Sequence, residues 1–268
     1  MEFPDDARPP LEVYCAEPPL GRRGNAPATI LVAPDIYGIS GGQVQQVCDA
    51  LAERSGCRVL LVDVFRGDHC TAEIRATRFV PWVRQFDATG VVADFVRAKA
   101  ALGGGAIRWG VAGFCWGSWA ALLVAAASSG GGGGFGSPLC AVAVAHPSHR
   151  KLCEVHGMDC DRLVAACSPG AAYLLLPCGN DDPRSRAGGR DELGLLAATG
   201  SAAPTSLGAA PTSSSFIKPA SLRVDVREFT AMSHGFVLRG DVAGSAEVAA
   251  AVDRAVGLLA AAFKASLY

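Results

Sequence analysis

The chain has 268 residues, half of them apolar, with 24 Lys and Arg set against 25 Asp and Glu. That length suits one large α/β domain or two small ones, and the apolar share is ample for a buried core. A net charge of −1 excludes a general nucleic-acid binder, which needs surplus Lys and Arg to neutralise phosphates. Apolar stretches such as Ala28–Ala33 and Ala171–Pro177 are too short to span a bilayer, so no membrane role is expected.

The opening Met1-Glu-Phe-Pro-Asp-Asp6 lacks the basic start and apolar run of a secretory signal, which points to a cytoplasmic location. In a reducing compartment the ten cysteines are expected to be mostly free. Several, including Cys57, Cys140 and Cys178, adjoin apolar runs where a free thiol acts as a small hydrophobe.

In chain order, a strand at Thr29–Ala33 leads to a helix at Gly42–Arg54, then a strand at Arg58–Asp63 and helices at Thr71–Phe86 and Val91–Ala100. A strand at Arg108–Ala112 precedes a helix at Ser118–Ser128, and one at Leu139–Ala145 precedes a helix at Asp159–Ala166. The last units are a strand at Ala172–Leu176, a helix at Asp191–Ala198, a strand at Leu222–Phe229 and a helix at Val242–Lys264. Alternation of this kind predicts a doubly wound, mostly parallel sheet covered by helices. Near-continuous apolar strands such as Ile30-Leu-Val and Leu174-Leu-Leu imply burial on both faces. With no repeat of fixed period, residues 1–268 read as one domain.

Two segments are low in complexity. The glycine run Gly130–Gly134 predicts a surface loop, and Thr199–Ser215, built of Ala, Ser, Thr, Pro and Gly with one Leu, predicts a disordered insertion.

The sharpest local signal is Arg108-Trp-Gly-Val-Ala-Gly113-Phe-Cys115-Trp-Gly117-Ser-Trp-Ala-Ala. A strand ends in Gly-x-Cys-x-Gly and runs straight into an Ala-rich helix, the context of a nucleophile elbow. Small flanking residues let strand and helix approach closely, and the turn sets a thiol at the positive end of a helix, where negative charge is favoured. The competing reading is a buried cysteine in an ordinary Gly-rich turn.

A cysteine nucleophile needs a base and a group to orient it. Of five histidines, His234 in Met232-Ser-His-Gly-Phe-Val-Leu-Arg-Gly-Asp241 falls after the last strand and before the last helix. That is where an α/β-hydrolase places its base. The acid belongs after a strand between the two, and Leu176-Pro-Cys-Gly-Asn-Asp-Asp182-Pro offers adjacent aspartates. Asp182, three residues beyond Gly179, is preferred, with Asp181 as the alternative; whichever is not the orienter serves as a turn or capping residue.

The order Cys115, Asp182, His234 resembles that of the dienelactone hydrolases, a cysteine-based branch of the α/β-hydrolases. Four further segments match in order: Ala33-Pro-Asp-Ile-Tyr-Gly38, Leu61-Val-Asp-Val-Phe-Arg-Gly-Asp68, Ala145-His-Pro-Ser148 and His234-Gly-Phe-x-x-Arg239. The resemblance implies a single-domain α/β-hydrolase fold without a separate lid domain. It also implies hydrolysis of small carboxylic esters or lactones through an acyl-thioester on Cys115, with no cofactor and no metal. His234 would shuttle the proton, Asp182 would orient it, and the backbone N–H groups of Ile36 and Trp116 would form the oxyanion hole. Asp35 takes the position of a family glutamate that pairs with the resting thiol, and Arg75, Arg78 and Arg239 are candidates to hold a substrate carboxylate. A monomer or weak homodimer is expected, with a small molecule as partner.

Three other readings touch parts of the sequence. Cys153, Cys160 and Cys167 with His146, His149 and His156 suggest zinc, but no Cys-x-x-Cys pair is present and Gly157 interrupts the helix their spacing would need. A class I amidotransferase requires a late His-x-Glu, which is absent. A catalytically silent hydrolase fold used for binding is the reading from another class.

Overall fold

The structure is a computed structural model that describes residues 2–5, 8–20, 27–102, 107–129, 135–200 and 223–268, with side chains from residue 9 onward. The glycine run 130–134 and nearly all of the expected insertion at 199–215 lie outside the described residues.

Among the described residues eight strands form one sheet in the order β1-β2-β4-β3-β5-β6-β7-β8. β3 (Ala28–Ala33), β4 (Arg58–Val62), β5 (Arg108–Phe114), β6 (Leu139–Ala145), β7 (Ala172–Leu176) and β8 (Val224–Val226) are parallel. β1 (Glu2–Asp5) and β2 (Arg8–Ala16) close one edge with antiparallel pairing. Along β3 the side chains alternate, Ile30 and Val32 into one core and Leu31 and Ala33 into the other. β7 does the same with Leu174 and Leu176 against Tyr173 and Leu175. These runs are apolar throughout because helices cover both faces.

α1 (Val44–Ser55) and α10 (Ala246–Leu267) cover one face, with Leu51, Val256, Leu259 and Phe263 in its core. The other face carries α4 (Ala88–Ala100) and α5 (Trp116–Ala127), the latter buried along most of its length. Among the described residues no helix is long and apolar enough to cross a membrane. All ten cysteines are free.

The main departures from the sequence reading have local causes. The expected helix at 71–86 is two pieces, α2 (Ala72–Thr77) and α3 (Phe79–Val83). Pro81 has no N–H to offer the Thr77 carbonyl and its ring crowds that turn, so a continuous helix cannot pass. β2 escapes the pattern because Pro9 and Pro10 read as breakers, yet proline is tolerated on outer strands. α6 (His149–His156) went unread because polar side chains sit inside it: His149 and Arg150 are as buried as Leu152 and Cys153. α7 (Cys160–Ala165) is separate from it, Gly157 closing α6 in a left-handed conformation. β8 is shorter than expected, although Arg227 N–H to Leu175 O and Phe229 N–H to Pro177 O carry its pairing onward.

The loop after β4 is pinned by an internal ion pair. Arg66 reaches across to Asp94 on α4 at 2.5 Å, with the two side chains only 6% and 2% exposed. Arg66 also donates to the Pro9 carbonyl, tying the antiparallel edge to the helix layer. Asp94→Ala would strand a buried guanidinium, so it is expected to cost about 3–5 kcal/mol. A lowered urea midpoint with an unchanged m-value would register that loss.

Candidate active site

β5 delivers Cys115 to the carboxyl edge of the sheet, directly before α5. Its backbone is at φ 53°, ψ −113°, a conformation that costs a non-glycine residue about 1–3 kcal/mol. The turn is this tight because Gly113 and Gly117 flank it. A side chain on Gly113 would strike the Gly117 backbone, and one on Gly117 would strike the Ala33 carbonyl. Ser118 stabilises the turn, its Oγ donating to the Cys115 carbonyl at 2.6 Å.

His234 lies in the loop between β8 and α9 (Phe236–Arg239). Asn180 Oδ1 accepts its backbone N–H at 2.7 Å. Its ring Nδ1 donates to Asp181 Oδ1 at 2.6 Å, an assignment that follows from a carboxylate being acceptor only. Nε2 is thereby left to face the cysteine side.

The carboxylate that meets the His234 ring is that of Asp181 and not that of Asp182. The Asp181 N–H closes a turn onto the Cys178 carbonyl, and its Oδ2 accepts the Cys178 N–H at 2.7 Å. That doubled-back turn buries Asp181 to 1% exposure and aims Oδ1 at His234. Asp182, one residue on, points outward and caps the short 3₁₀ turn Pro183–Ser185. The Arg184 guanidinium grips it at 2.6 Å and holds its carboxyl down at about 2. The signal that separates the two was present: an acidic residue directly before Pro183 is a helix-start pattern, which marks Asp182 as the cap.

Burial lowers the affinity of His234 for a proton, but the hydrogen bond to Asp181 and the interaction with Cys115 outweigh it and raise the imidazole to about 10. Beneath this ring lies His146, fully buried, at φ 37°, its centroid 5.2 Å from that of His234. Burial first, then the charges of His234 and Arg239, hold its pKa well below the usual histidine value.

Asp35 does not pair with the thiol. Its Oδ1 accepts the Tyr37 N–H at 2.9 Å and its Oδ2 accepts Arg239 Nε at 2.9 Å. Both oxygens are thus committed to other partners. Burial lifts its carboxyl above the usual range, opposed by the Tyr37 N–H and Arg239. Among the described residues the backbone N–H groups of Ile36 and Trp116 donate to no protein acceptor.

A cleft of ≈ 310 Å³ opens over the cysteine, lined by Ile36, Tyr37, Arg75, Phe79, Cys115, His234 and Arg239. Arg239 is largely committed, paired with Asp35 and stacked 4.4 Å from the Tyr37 ring. Arg75 donates only to the Tyr37 hydroxyl at 3.1 Å and has no carboxylate partner among the described residues. Arg78 is outside the cleft: α2 ends at Thr77, and the break ahead of Pro81 leaves it exposed on the surface.

His149, Cys160 and Asp191 bring possible ligand atoms within 4.8 Å of one another. The carboxylate is already engaged: Oδ2 accepts from Ser185 at 2.5 Å and His149 at 2.8 Å, and Oδ1 is ion-paired with Arg150 at 2.6 Å. The guanidinium occupies the place a cation would take, so this is a buried ion-pair network.

A strand–Cys–helix elbow, a histidine after the last strand and an aspartate after the strand before it define the site of an α/β-hydrolase. The model of the Dienelactone hydrolase family matches residues 11–149. The chain belongs to that family and is a carboxylic ester hydrolase. No curated protein matches it. The fold is similar to that of a protein assigned as a dienelactone hydrolase from Klebsiella pneumoniae subsp. pneumoniae, at 16% identity and a TM-score of 0.58, over 94% of this chain and 93% of that one. Carboxyl esterase 2 of the mycorrhizal fungus Tuber melanosporum is similar at 15% identity and a TM-score of 0.58, covering 100% and 87%. The carboxylesterase EstE1, from a metagenomic library, gives 16% and 0.56, covering 100% and 88%.

Proposed function

We propose that the protein hydrolyses small activated esters or lactones carrying a carboxylate, through an acyl-thioester on Cys115. The Cys115 proton passes to His234, and the thiolate adds to the substrate carbonyl. The unpartnered N–H groups of Ile36 and Trp116 receive the developing oxyanion. Collapse breaks the bond to the leaving oxygen, which takes the proton from His234. Water, deprotonated by the same imidazole, then releases the acid, and Asp181 keeps Nδ1 protonated throughout. Residues 1–268 act as one catalytic unit in this proposal.

The observation that carries the reading is the hydrogen bond from His234 to buried Asp181 beside Cys115, at the floor of a cleft with an uncommitted arginine. A thiol favours substrates whose leaving group is a stabilised enolate, and a guanidinium matches a carboxylate in two parallel hydrogen bonds. The test is a panel of p-nitrophenyl acetate, a dienelactone and an acyl-thioester. Preference for the dienelactone, blocked by a thiol alkylator, supports the proposal; folded protein that turns over none of the three points to a binding role instead.

Arg75→Ala is expected to raise KM for the dienelactone about tenfold or more, from loss of a charge-assisted hydrogen bond, while leaving p-nitrophenyl acetate within about twofold. Equal losses on both substrates would remove Arg75 from carboxylate recognition.

A further inference from the structure

The resting thiol has a neighbour that the sequence reading passed over. Ser148 follows β6 and precedes α6, and its hydroxyl is 3.6 Å from Cys115 Sγ and 3.4 Å from His234 Nε2. Its backbone is held independently of that hydroxyl: the N–H reaches the Cys115 carbonyl at 3.3 Å and Ser118 Oγ at 2.9 Å. The loop thus needs residue 148 for its N–H, and the side-chain oxygen is free to serve the site. Asp35, whose position in the family would supply a partner for the thiol, is occupied by Tyr37 and Arg239.

We infer that Ser148 is a positioning residue whose hydroxyl bridges Cys115 and His234 and relays the thiol proton to the imidazole. In that step the S–H bond breaks as an O–H bond forms on Ser148, and the original Ser148 O–H breaks as N–H forms on Nε2. The products are a thiolate, an imidazolium and an intact serine. The separations are long for a resting site and close when substrate excludes water. Once the thiolate has attacked, the same hydroxyl is left within reach of Nε2, where it holds the ring in line for the leaving oxygen. The inference rests on the proposed role of Cys115 as nucleophile.

The groups that face this pair are known. Asp181 approaches from the loop after β7, Arg239 from the end of α9, Asp35 from the loop after β3, His146 from the end of β6, and Cys70 from the loop after β4. None of them is altered by changes at position 148.

The experiment compares wild type with Ser148→Ala, Ser148→Thr and Ser148→Val, reading kcat/KM for p-nitrophenyl acetate and the rate of Cys115 alkylation by iodoacetamide against pH. Thr and Val have the same shape, so their difference isolates the hydroxyl even if one small substitution disturbs folding. Loss of one hydrogen bond to a charged group predicts that Ala and Val slow both rates about tenfold or more near neutral pH. Their alkylation profiles should move to higher pH, and Thr should recover most of the loss. Equal behaviour of Thr and Val, or an unmoved alkylation profile in Ser148→Ala, overturns the inference. Hydrolysis that survives Cys115→Ala instead overturns the proposed function itself, whatever happens at position 148.

Discussion

Cys115→Ala is expected to lower kcat/KM for a small activated ester by about ten-thousandfold or more, the usual scale for removing a nucleophile that acts as one unit with its base. Alanine takes the same strained backbone without a new clash, so the melting temperature should stay close to that of the wild type. Cys115→Ser is the sharper comparison. It keeps a nucleophilic atom at the elbow but offers a hydroxyl far harder to ionise, and slow residual hydrolysis is expected. Undiminished hydrolysis in Cys115→Ala would remove the cysteine from the mechanism.

The second large effect separates two adjacent aspartates. Asp181→Asn should reduce kcat by about a thousandfold to ten-thousandfold, because an amide facing Nδ1 no longer enforces the tautomer that leaves Nε2 as the base. Asp182→Asn should stay within about tenfold of wild type, since its carboxylate serves Arg184 and a helix cap. The pH profile gives an independent reading. His234 is raised in the folded protein to about 10, so its imidazolium interactions are fully present below the ordinary histidine value and are lost as pH climbs through about 10. The wild-type alkaline limb, where the proton for the leaving oxygen is lost, therefore belongs near pH 10. Removing the Asp181 charge takes away the largest of the raising contacts, and that limb should move towards neutrality. An Asp181→Asn enzyme with wild-type kcat and an unmoved limb would show that the hydrogen bond is only structural.

The fold was legible where burial is uniform. Five of the six parallel strands, β3 to β7, are largely apolar and stand out in the sequence as short apolar runs. The antiparallel strand β2 and the helix α6 were not visible, because the first carries two prolines and the second buries His149 and Arg150 against Asp191. Pairing that neutralises a buried charge leaves no trace in a hydrophobic pattern. The site was legible through its backbone: the glycines around Cys115 and the Gly-Phe after His234 mark turns that few other sequences allow. What escaped was the direction of side chains within turns. Asp181 and Asp182 differ by one residue and point in opposite directions, and Ser148 reaches the thiol only because its loop folds back on Cys115. Arg78 failed for a related reason, a helix broken ahead of Pro81.

Every strand in the parallel part of the sheet points the same way, and this polarity divides the molecule's freedom to change length. The loops holding Asp35, Cys115, Ser148, Asp181 and His234 all leave the carboxyl ends of strands. Gly56 and Cys57, Ile107, Phe135–Pro138 and Ser168–Ala171 instead lead into the starts of β4, β5, β6 and β7, at the opposite rim. Insertions or deletions there are a strand's length away from the reacting atoms. That rim is consequently where a tag, a reporter domain or a surface tether can be spliced into the chain, and where relatives can diverge in length while the chemistry stays in register.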